Sequence, residues 1–359
     1  MKTQRRASRA VTVGGLKIGG GAPISVQSMT NTDTHDFDAT YKQVLALEEA
    51  GCDIVRITAP DLKSVKTFEG LKAKGVKIPL VADIHFNHEI AIAAARSGAD
   101  KIRINPGNIG SDEKVKAVVD ACLECRVPIR IGVNSGSLEK SILEKHGAPT
   151  GEALAESALY HASLLEKFGF FDTVISVKAS GVNEMLTANR ILAERTSYPL
   201  HLGVTEAGAG TKAIVKSAIG IGALLSEGIG DTVRVSLTSD PVEEIGAARE
   251  ILGALGLCKS GMDIVSCPTC GRTKIDLISL CSRFDKLVRE EGLDRLDIKV
   301  ALMGCAVNGP GEAREADVGI AGGDGSGLIF RKGEIIRKVE EKDLLEELIK
   351  EIKLIRDER

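Results

Sequence analysis

The sequence contains no tryptophan, and aromatic residues make up only 3% of its 359 residues. Proteins that bind single-stranded nucleic acid stack the bases on aromatic side chains, so this scarcity argues against that class. An excess of positive charge is also missing, because 47 Lys and Arg residues are offset by 50 Asp and Glu residues. Duplex-binding domains are usually strongly basic, and we therefore expect no nucleic-acid partner.

Long apolar segments are absent as well. No uncharged stretch reaches the ~18 apolar residues of a membrane-spanning helix, and residues 1–10 are basic and polar with no apolar segment behind them. We therefore expect a soluble, cytoplasmic protein that makes no contact with a membrane. The eight cysteines are few for a chain of this length, so metal binding, catalysis or burial explain them better than a disulfide framework.

Short β-branched apolar runs alternate with longer amphipathic segments through the first two thirds of the chain. The runs have the composition of buried parallel strands, and capping Asp, Asn or Ser residues open several of the amphipathic segments, which predicts helices. Eight such pairs over roughly 250 residues are what a parallel (β/α)8 barrel requires. The predicted strands are 24–30, 53–58, 79–86, 101–105, 128–134, 173–179, 199–205 and 232–237, and the predicted helices include 38–49, 87–97, 111–124, 151–167 and 243–255.

An open, doubly wound sheet is the alternative architecture. Such folds bind a dinucleotide at a Gly-x-Gly-x-x-Gly turn between a strand and a helix, and none of the predicted strands is followed by that turn. We therefore predict a TIM barrel over residues 1–257, followed by a small α/β domain over residues 258–359.

Polar residues gather at the carboxyl ends of the predicted strands, where TIM-barrel enzymes place their active sites. Residues two apart on a strand lie on one side of it, so Asp83 and His85 are expected to face the same way. Five cations at this rim face two acids, which leaves a positively charged pocket. The rim cations are Arg56, Arg103, Arg130, Lys178 and Arg234, the acids are Asp83 and Glu206, and Thr58, His85, Asn105, Asn134, Ser180 and Ser236 accompany them.

A polyanion would neutralise this pocket. Arginine forks match phosphate oxygens, lysine adds a point charge, and Asn and Ser side chains complete the set of donors. The pattern predicts a phosphorylated substrate of the diphosphate type. Alternatives stay open for single residues: His85 is either an acid/base partner of Asp83 or a residue that positions substrate, and Glu206 is either a general acid or half of an ion pair.

Beyond Leu257 the alternation stops, and cysteines appear in turn-rich sequence. Cys267 and Cys270 form a C-x-x-C pair, and Cys305 follows an apolar run. Structural zinc usually takes four ligands, whereas an iron–sulfur cluster on three thiolates leaves one iron for a weaker ligand or a substrate. Both remain open, because Cys281 would complete a zinc site, while the Gly- and Pro-rich loop that leads to Glu312 favours a cluster.

The remaining segments have simpler interpretations. Cys122 and Cys125 are a second C-x-x-C pair, but they lie in a helical pattern without a turn signal, which indicates burial. Helices are also predicted over 275–289 and 342–359, the second with an amphipathic pattern.

The sequence resembles the 4-hydroxy-3-methylbut-2-en-1-yl diphosphate synthases across nearly its whole length. The segments that carry the resemblance are, in order, SVQSMTNTDT, VRIT, VADIHF, KIRINPGN, IRIGVNSGSL, SVKAS, HLGVTEAG, GDTVRVSLT, SCPTCGR and GCAVNGPGEA. The resemblance implies a TIM barrel followed by a small α/β iron–sulfur domain similar to the repeats of nitrite and sulfite reductases. It also implies a step of the non-mevalonate isoprenoid pathway, in which 2-C-methyl-D-erythritol 2,4-cyclodiphosphate is reductively opened and dehydroxylated to 4-hydroxy-3-methylbut-2-enyl diphosphate.

The same resemblance implies how the reaction is supported. A [4Fe–4S] cluster held by Cys267, Cys270, Cys305 and Glu312 would deliver two electrons, received from flavodoxin or ferredoxin. The protein would be a homodimer in which the cluster domain of one subunit caps the barrel of the other. Glu206 would be the acid near the departing oxygen, and the substrate would be bound by Arg56, Asp83, His85, Arg103, Arg130, Asn134, Lys178 and Ser236.

A zinc-stabilised TIM-barrel aldolase or epimerase is the second candidate function. It would act on a phosphorylated sugar through a Schiff base at Lys178. The resemblance favours the reductive enzyme, which we expect to be brown and sensitive to oxygen, whereas a zinc protein would be colourless.

Overall fold

The computed structural model describes residues 4–259, 261–305 and 314–359. These residues form two compact units, Met1–Cys258 and Lys259–Arg359. The strands are β1 (Val11–Val13), β2 (Leu16–Ile18), β3 (Ser25–Met29), β4 (Ile54–Thr58), β5 (Leu80–Asp83), β6 (Lys101–Ile104), β7 (Ile129–Asn134), β8 (Thr173–Lys178), β9 (His201–Leu202), β10 (Thr232–Val233), β11 (Asp263–Ser266), β12 (Lys299–Met303), β13 (Val318–Gly322), β14 (Ser326–Arg331) and β15 (Glu334–Glu340). The helices are α1 (Phe37–Glu49), α2 (Lys66–Ala73), α3 (His88–Arg96), α4 (Pro106–Ile109), α5 (Asp112–Cys125), α6 (Lys140–His146), α7 (Gly151–Lys167), α8 (Val182–Arg195), α9 (Gly210–Ser226), α10 (Pro241–Ala254), α11 (Leu277–Glu290) and α12 (Leu344–Asp357).

The first unit is built on an eight-stranded parallel sheet with the order β8-β7-β6-β5-β4-β3-β10-β9. A parallel bridge between Ile175 on β8 and Leu200 next to β9 joins the two ends of this row. The row therefore closes into a barrel, which confirms the TIM-barrel prediction and excludes the open doubly wound sheet.

The eight predicted strands are all present, but the last two are much shorter than predicted. Regular pairing covers only residues 201–202 and 232–233. Beyond them the backbone still pairs with its neighbours, through Thr205 N to Ala179 O at 3.1 Å and Arg234 N to Leu202 O at 2.9 Å. The β-branched residues that suggested longer strands therefore lie in extended loops at the carboxyl end of the barrel.

Side-chain caps fix where several of the helices begin. Asp36 accepts a hydrogen bond from Ala39 N at 3.0 Å, and Asn87 accepts one from Glu89 N at 2.8 Å. Such caps satisfy backbone N–H groups that have no partner inside the helix. The predicted helix starts were accordingly accurate to within two residues.

A short antiparallel hairpin, β1–β2, was not predicted. It packs at the amino end of the barrel strands, in a cluster formed by Val11, Val13, Ile18, Ile54, Val81 and Val174. Three-residue strands show too little alternation to be recognised from sequence. The hairpin covers this end of the barrel with apolar side chains, and the polar residues predicted for the site lie at the opposite end.

The second unit has a mixed sheet with the order β11-β12-β13-β14-β15. The first three strands are parallel and the last three are antiparallel. Both predicted helices are present as α11 and α12, and they pack on the sheet through residues such as Phe284 and Leu348. The unit is thus a small α/β domain, and its likeness to nitrite and sulfite reductase repeats stays a prediction. Within the described ranges, no helix is long and apolar enough to span a membrane.

The packing of α11 supports a prediction about stability. Phe284 is fully buried, whereas Ile278 on the same helix is 71% exposed. We expect Phe284→Ala to lower the free energy of unfolding of this unit by about 3–5 kcal/mol, because a large cavity remains. The control Ile278→Ala should change it by less than about 0.5 kcal/mol. Calorimetry of both variants measures this, and equal losses would contradict the assignment of the core.

Candidate active site

Asp83 lies at the centre of the polar cluster at the barrel mouth. Its Oδ1 accepts a hydrogen bond from Arg103 Nη1 at 3.0 Å, and its Oδ2 is 3.6 Å from Arg56 Nε. Asp83 pairs in register with Arg103, and Arg103 pairs with Arg130, so parallel pairing brings them to one level. Burial alone would raise the pKa of Asp83, but the charges of Arg56 and Arg103 outweigh it and lower the pKa to about 2.

Two of the arginines are desolvated at this level. Arg130 is 1% exposed and donates from Nη1 to Gln27 Oε1 at 2.9 Å. Burial, reinforced by neighbouring positive charges, lowers the pKa of Arg130 well below its usual range. Burial also lowers the pKa of Arg56 to about 10, although Asp83 acts in the opposite sense. In such desolvated surroundings, the electrostatic attraction between these cations and an entering anion is stronger than it would be in water.

Lys178 ends β8 beside Asn134, the last residue of β7. Its side chain is buried, and burial together with the charges of Arg234 and Arg56 lowers the pKa of its amine well below the usual range. A Cβ at Gly203 would collide with Lys178 Nζ and with the Arg234 carbonyl, so glycine at this position makes room for the amine. A desolvated lysine of this kind suits either anion binding or Schiff-base chemistry.

Glu244 is an acid that the sequence analysis missed. It is 2% exposed and accepts hydrogen bonds from Arg234 Nε at 3.0 Å, Arg234 Nη2 at 2.9 Å and Ser28 Oγ at 2.8 Å. The sequence pointed chiefly to Asp83 and Glu206 as the acids of this rim, and Glu244 has to be added to them. Glu244 lies in the first turn of α10, where the Asp240–Pro241 helix start was the one signal that placed it near the strand end.

With Glu244 counted, the barrel mouth still carries an excess of positive charge. Glu244 forms a two-bond fork with Arg234, so that arginine is neutralised. Asp83 is then the acid shared by Arg56 and Arg103, with Arg130 and Lys178 nearby. Three buried cations and the partly buried Arg56 therefore lie around Asp83, with Glu244 acting on them from its pair with Arg234, and this excess of positive charge makes an anion-binding pocket.

Glu206 lies in the loop after β9, exposed to solvent. Glu206 forms no ion pair within the ranges that the structure describes. The ion-pair interpretation therefore has no candidate partner among those residues. The backbone of Glu206 has a φ of 52°, in the left-handed region that costs a non-glycine residue about 1 kcal/mol or more. Strain of this sort is concentrated at functional sites, and Thr238 N, bonded to Gly208 O at 3.0 Å, holds the loop in place.

His85 and Ser236 lie just beyond strands β5 and β10. His85 is exposed and lies beside the ring of Phe86, at 6.1 Å between centroids. It forms no hydrogen bond with Asp83 in the described structure, although its charge helps to lower the pKa of that carboxyl, so both interpretations of His85 stay predictions. Ser236 is partly buried in the segment between β10 and α10. The rim residues on strands thus converge, while His85, Glu206 and Ser236 belong to loops above them.

The cysteine loops of the second unit emerge from neighbouring parallel strands. Cys267 directly follows β11, and Cys305 follows β12 by two residues. Gly304 N donates to Cys267 Sγ at 3.2 Å, so the two loops lie side by side. A backbone hydrogen bond from Arg272, with its side chain and charge, lowers the pKa of Cys270. N–H donors to sulfur and a lowered thiol pKa are properties of cysteines that bind metal clusters.

The surroundings of the described cysteines are compatible with a cluster held by three thiolates. Cys281 packs against the core of the unit. Burial raises the pKa of its thiol, which favours the protonated form. Among the residues that the structure describes, no three His, Cys, Asp or Glu side chains are close enough together to hold a metal ion. Glu312, the fourth predicted ligand, lies outside the described residues. The second C-x-x-C pair has the predicted structural role, since Cys122 is buried in α5 and burial raises its pKa to about 12.

Comparison with known proteins identifies the family. Residues 8–249 match the GcpE TIM-barrel domain, and residues 263–354 match the GcpE protein C-terminal domain. The 4-hydroxy-3-methylbut-2-en-1-yl diphosphate synthase (flavodoxin) of Clostridium perfringens is 58% identical over 98% of this chain and 99% of its own. The chain belongs to this family of synthases. It is therefore an enzyme, as the resemblance predicted.

Other relatives agree along the full length. The synthase of Fusobacterium nucleatum is 58% identical over 97% of both chains, and that of Caldanaerobacter subterraneus is 55% identical over 100% of both. A solved N-acetylneuraminic acid synthetase from Leptospira borgpetersenii is similar in structure, with a TM-score of 0.52 over 70% of this chain and 92% of its own. At 12% identity that likeness shows the fold alone.

The lowered pKa of Asp83 makes stability depend on pH. Its folded pKa of about 2 lies below the unfolded value of about 3.9, so this contribution is present above pH ~4 and is lost as the pH falls towards 2. The pH-dependent part amounts to about 2 kcal/mol for a buried pair of this kind. We expect Asp83→Asn to remove it. Urea titrations between pH 5 and 2.5 measure this, and parallel profiles for the two proteins would contradict it.

Proposed function

We propose that this enzyme catalyses the reductive ring opening and dehydroxylation of 2-C-methyl-D-erythritol 2,4-cyclodiphosphate to 4-hydroxy-3-methylbut-2-enyl diphosphate. The observation that carries the proposal is the pocket in which Arg56, Arg103, Arg130 and Lys178 surround the single carboxylate of Asp83. A diphosphate has the charge and the oxygen geometry to fill it. The name of the full-length relatives supports the same reaction.

The diphosphate is bound by the residues at the strand ends. Arg103, Arg130, Asn134, Lys178 and Ser236 contact its oxygens, while Arg56, Asp83 and His85 line the same mouth. Asp83 holds the guanidinium groups of Arg56 and Arg103 before the substrate arrives. Because these groups are already desolvated and oriented, little reorganisation is needed when the anion binds.

Cys267, Cys270, Cys305 and Glu312 hold a [4Fe–4S] cluster in this proposal, since the thiol environment of the described cysteines suits it. When bound, such a cluster would pass on the two electrons one at a time and would provide a Lewis-acidic iron for cleavage of the C–O bonds. Glu206 gives a proton to the departing hydroxyl, which leaves as water. Flavodoxin, as in the names of the relatives, or ferredoxin delivers the electrons.

Glu206 is exposed at the mouth, and the chemistry requires that water be excluded there. We propose that the protein is a homodimer in which the cluster domain of one subunit caps the barrel of the other. This arrangement would bring the cluster to the substrate and cover the pocket in a single closing motion.

An aldolase or epimerase that works through a Schiff base is the second candidate, because the pKa of Lys178 is lowered. Borohydride treatment in the presence of a phosphorylated keto-sugar distinguishes the two. A covalent adduct at Lys178 would support the Schiff base, and an unmodified chain would support the reductive reaction.

The cluster ligands are tested by substitution and anaerobic purification. We expect about four iron and four sulfide per chain in the native protein. Cys270→Ser and Cys305→Ser should lose the cluster, whereas Glu312→Ala should keep it in a more labile form. Cys281→Ser is the matched control and should retain a full cluster. Loss of metal in Cys281→Ser together with about one zinc in the native protein would support the zinc alternative.

The anion pocket is tested at Gly132. A Cβ there would overlap the Arg103 guanidinium, so Gly132→Ala should displace Arg103 from Asp83 and from the substrate. We expect kcat/KM to fall by at least about 10-fold, and Arg130→Ala to cost about 2 kcal/mol in the same measurement. Gly246→Ala, where an added Cβ meets nothing within 4 Å, is the control. Unchanged kinetics in both pocket variants would remove these arginines from the diphosphate site.

A further inference from the structure

A second polar layer lies inside the barrel, below the cations of the mouth. Lys101, at the start of β6, is fully buried. It precedes Arg103 by two residues, so both side chains point into the barrel, with Lys101 about 7 Å closer to the amino end. Its register partner, Val81, belongs to the apolar cluster under the β1–β2 hairpin. Lys101 therefore lies between the apolar floor of the barrel and the anion pocket.

The amine of Lys101 has no partner. Within the described ranges, no acceptor lies at hydrogen-bond distance from its Nζ. The charges that act on it are positive, those of Arg130 and Arg56, and no carboxylate offsets them. A buried ammonium group without a counter-ion or an acceptor is strongly disfavoured. Consistent with this, burial and these two arginines lower the pKa of Lys101 well below its usual range.

The strands β4 to β9 carry the charged and titratable side chains nearest to Lys101 in the described structure. Asp83 on β5 is engaged by Arg56 on β4 and by Arg103. On the other side, β7, β8 and β9 present Arg130, Lys178 and His201. His201 is also fully buried, with Nδ1 3.4 Å from Thr232 Oγ1 and with Nε2 lacking a partner in the described structure. Negative charge in this layer must therefore come from a ligand.

We propose that Lys101 is the proton-accepting residue of the diphosphate site: it is uncharged in the free protein and takes up one proton from solvent when the anion binds above it. The inference rests on the proposed function, because it requires a diphosphate at Arg103 and Arg130. The bound anion supplies the counter-charge that the free pocket lacks, and an ammonium group at Lys101 is then stabilised. Lys101 acts through the arginines and is a positioning residue, since it lies beneath the substrate.

Isothermal titration calorimetry tests this with inorganic pyrophosphate and the full-length protein. Titrations at pH 8 in buffers of different ionisation enthalpy give the number of protons taken up on binding. We expect the native protein to take up about one proton more than Lys101→Met, a difference that cancels the titration of pyrophosphate itself. Lys17→Met, at an exposed lysine of the hairpin, should match the native protein.

The pH dependence of affinity gives a second readout. The dissociation constant of the native protein should rise by up to about 10-fold per pH unit relative to that of Lys101→Met. A change in packing alone would shift affinity equally at every pH. If Lys101→Met does not fold, NMR of the native protein labelled with 13C at lysine Cε is used instead. One lysine signal should move to the chemical shift of a charged amine when pyrophosphate is added. This signal should be absent from Lys101→Arg.

Equal proton uptake in the native protein and Lys101→Met would overturn the inference. It would also be overturned if Lys178→Met or His201→Gln, and not Lys101→Met, abolished the uptake. Absence of pyrophosphate binding in all proteins would instead contradict the diphosphate site, and with it the proposed function.

Discussion

Asp83 lies between Arg56 and Arg103, and one buried carboxylate has to balance two guanidinium groups. Parallel register imposes this arrangement, because Asp83 pairs with Arg103 and Arg103 pairs with Arg130 on consecutive strands. Arg130 and Lys178 then complete a level of the barrel where positive charge exceeds negative charge. Asp83 stabilises the pocket by pairing with the nearest cations. The remaining positive charge is not neutralised by protein groups in the described structure, so the pocket attracts anions.

The arginines at the mouth fall into two classes. Arg234 is locked by Glu244, which also binds Ser28 on β3, so this pair ties β10, β3 and the start of α10 together. Arg103 instead contacts Asp83 and the Gly132 carbonyl, and Arg130 contacts Gln27. Arg103 shares its carboxylate with Arg56, and Arg130 forms no ion pair within the described residues. This division is consistent with the proposal, taken from the resemblance, that Arg103 and Arg130 bind the diphosphate, and Arg234 is not among the residues proposed. A fixed ion pair maintains the shape of the mouth, and we propose that the other cations bind the substrate.

Strand and helix periodicity was sufficient to predict the barrel, because buried parallel strands and capped amphipathic helices have distinct patterns. The rim residues followed from the strand ends, since register brings those ends together. Glu244 was not predicted because it lies on a helix, ten residues after Arg234. Its contact with Arg234 is a feature of the folded barrel and leaves no pattern in the sequence. Lys101 escaped notice for a related reason: it begins a strand, and burial without a partner is a property of the tertiary structure. Patterns of three residues were too short to indicate the β1–β2 hairpin.

We propose that the barrel pocket and the cysteine loops together reduce a cyclic diphosphate. A single-turnover experiment tests it most directly. The anaerobically purified protein is mixed with one equivalent of 2-C-methyl-D-erythritol 2,4-cyclodiphosphate and followed by 31P NMR, with excess dithionite present because the reaction needs two electrons and one cluster holds one. We expect the cyclic signals to be replaced by those of a linear diphosphate, with one two-electron equivalent of dithionite consumed for each substrate molecule converted. Unchanged cyclodiphosphate in the presence of fully reduced protein would contradict it.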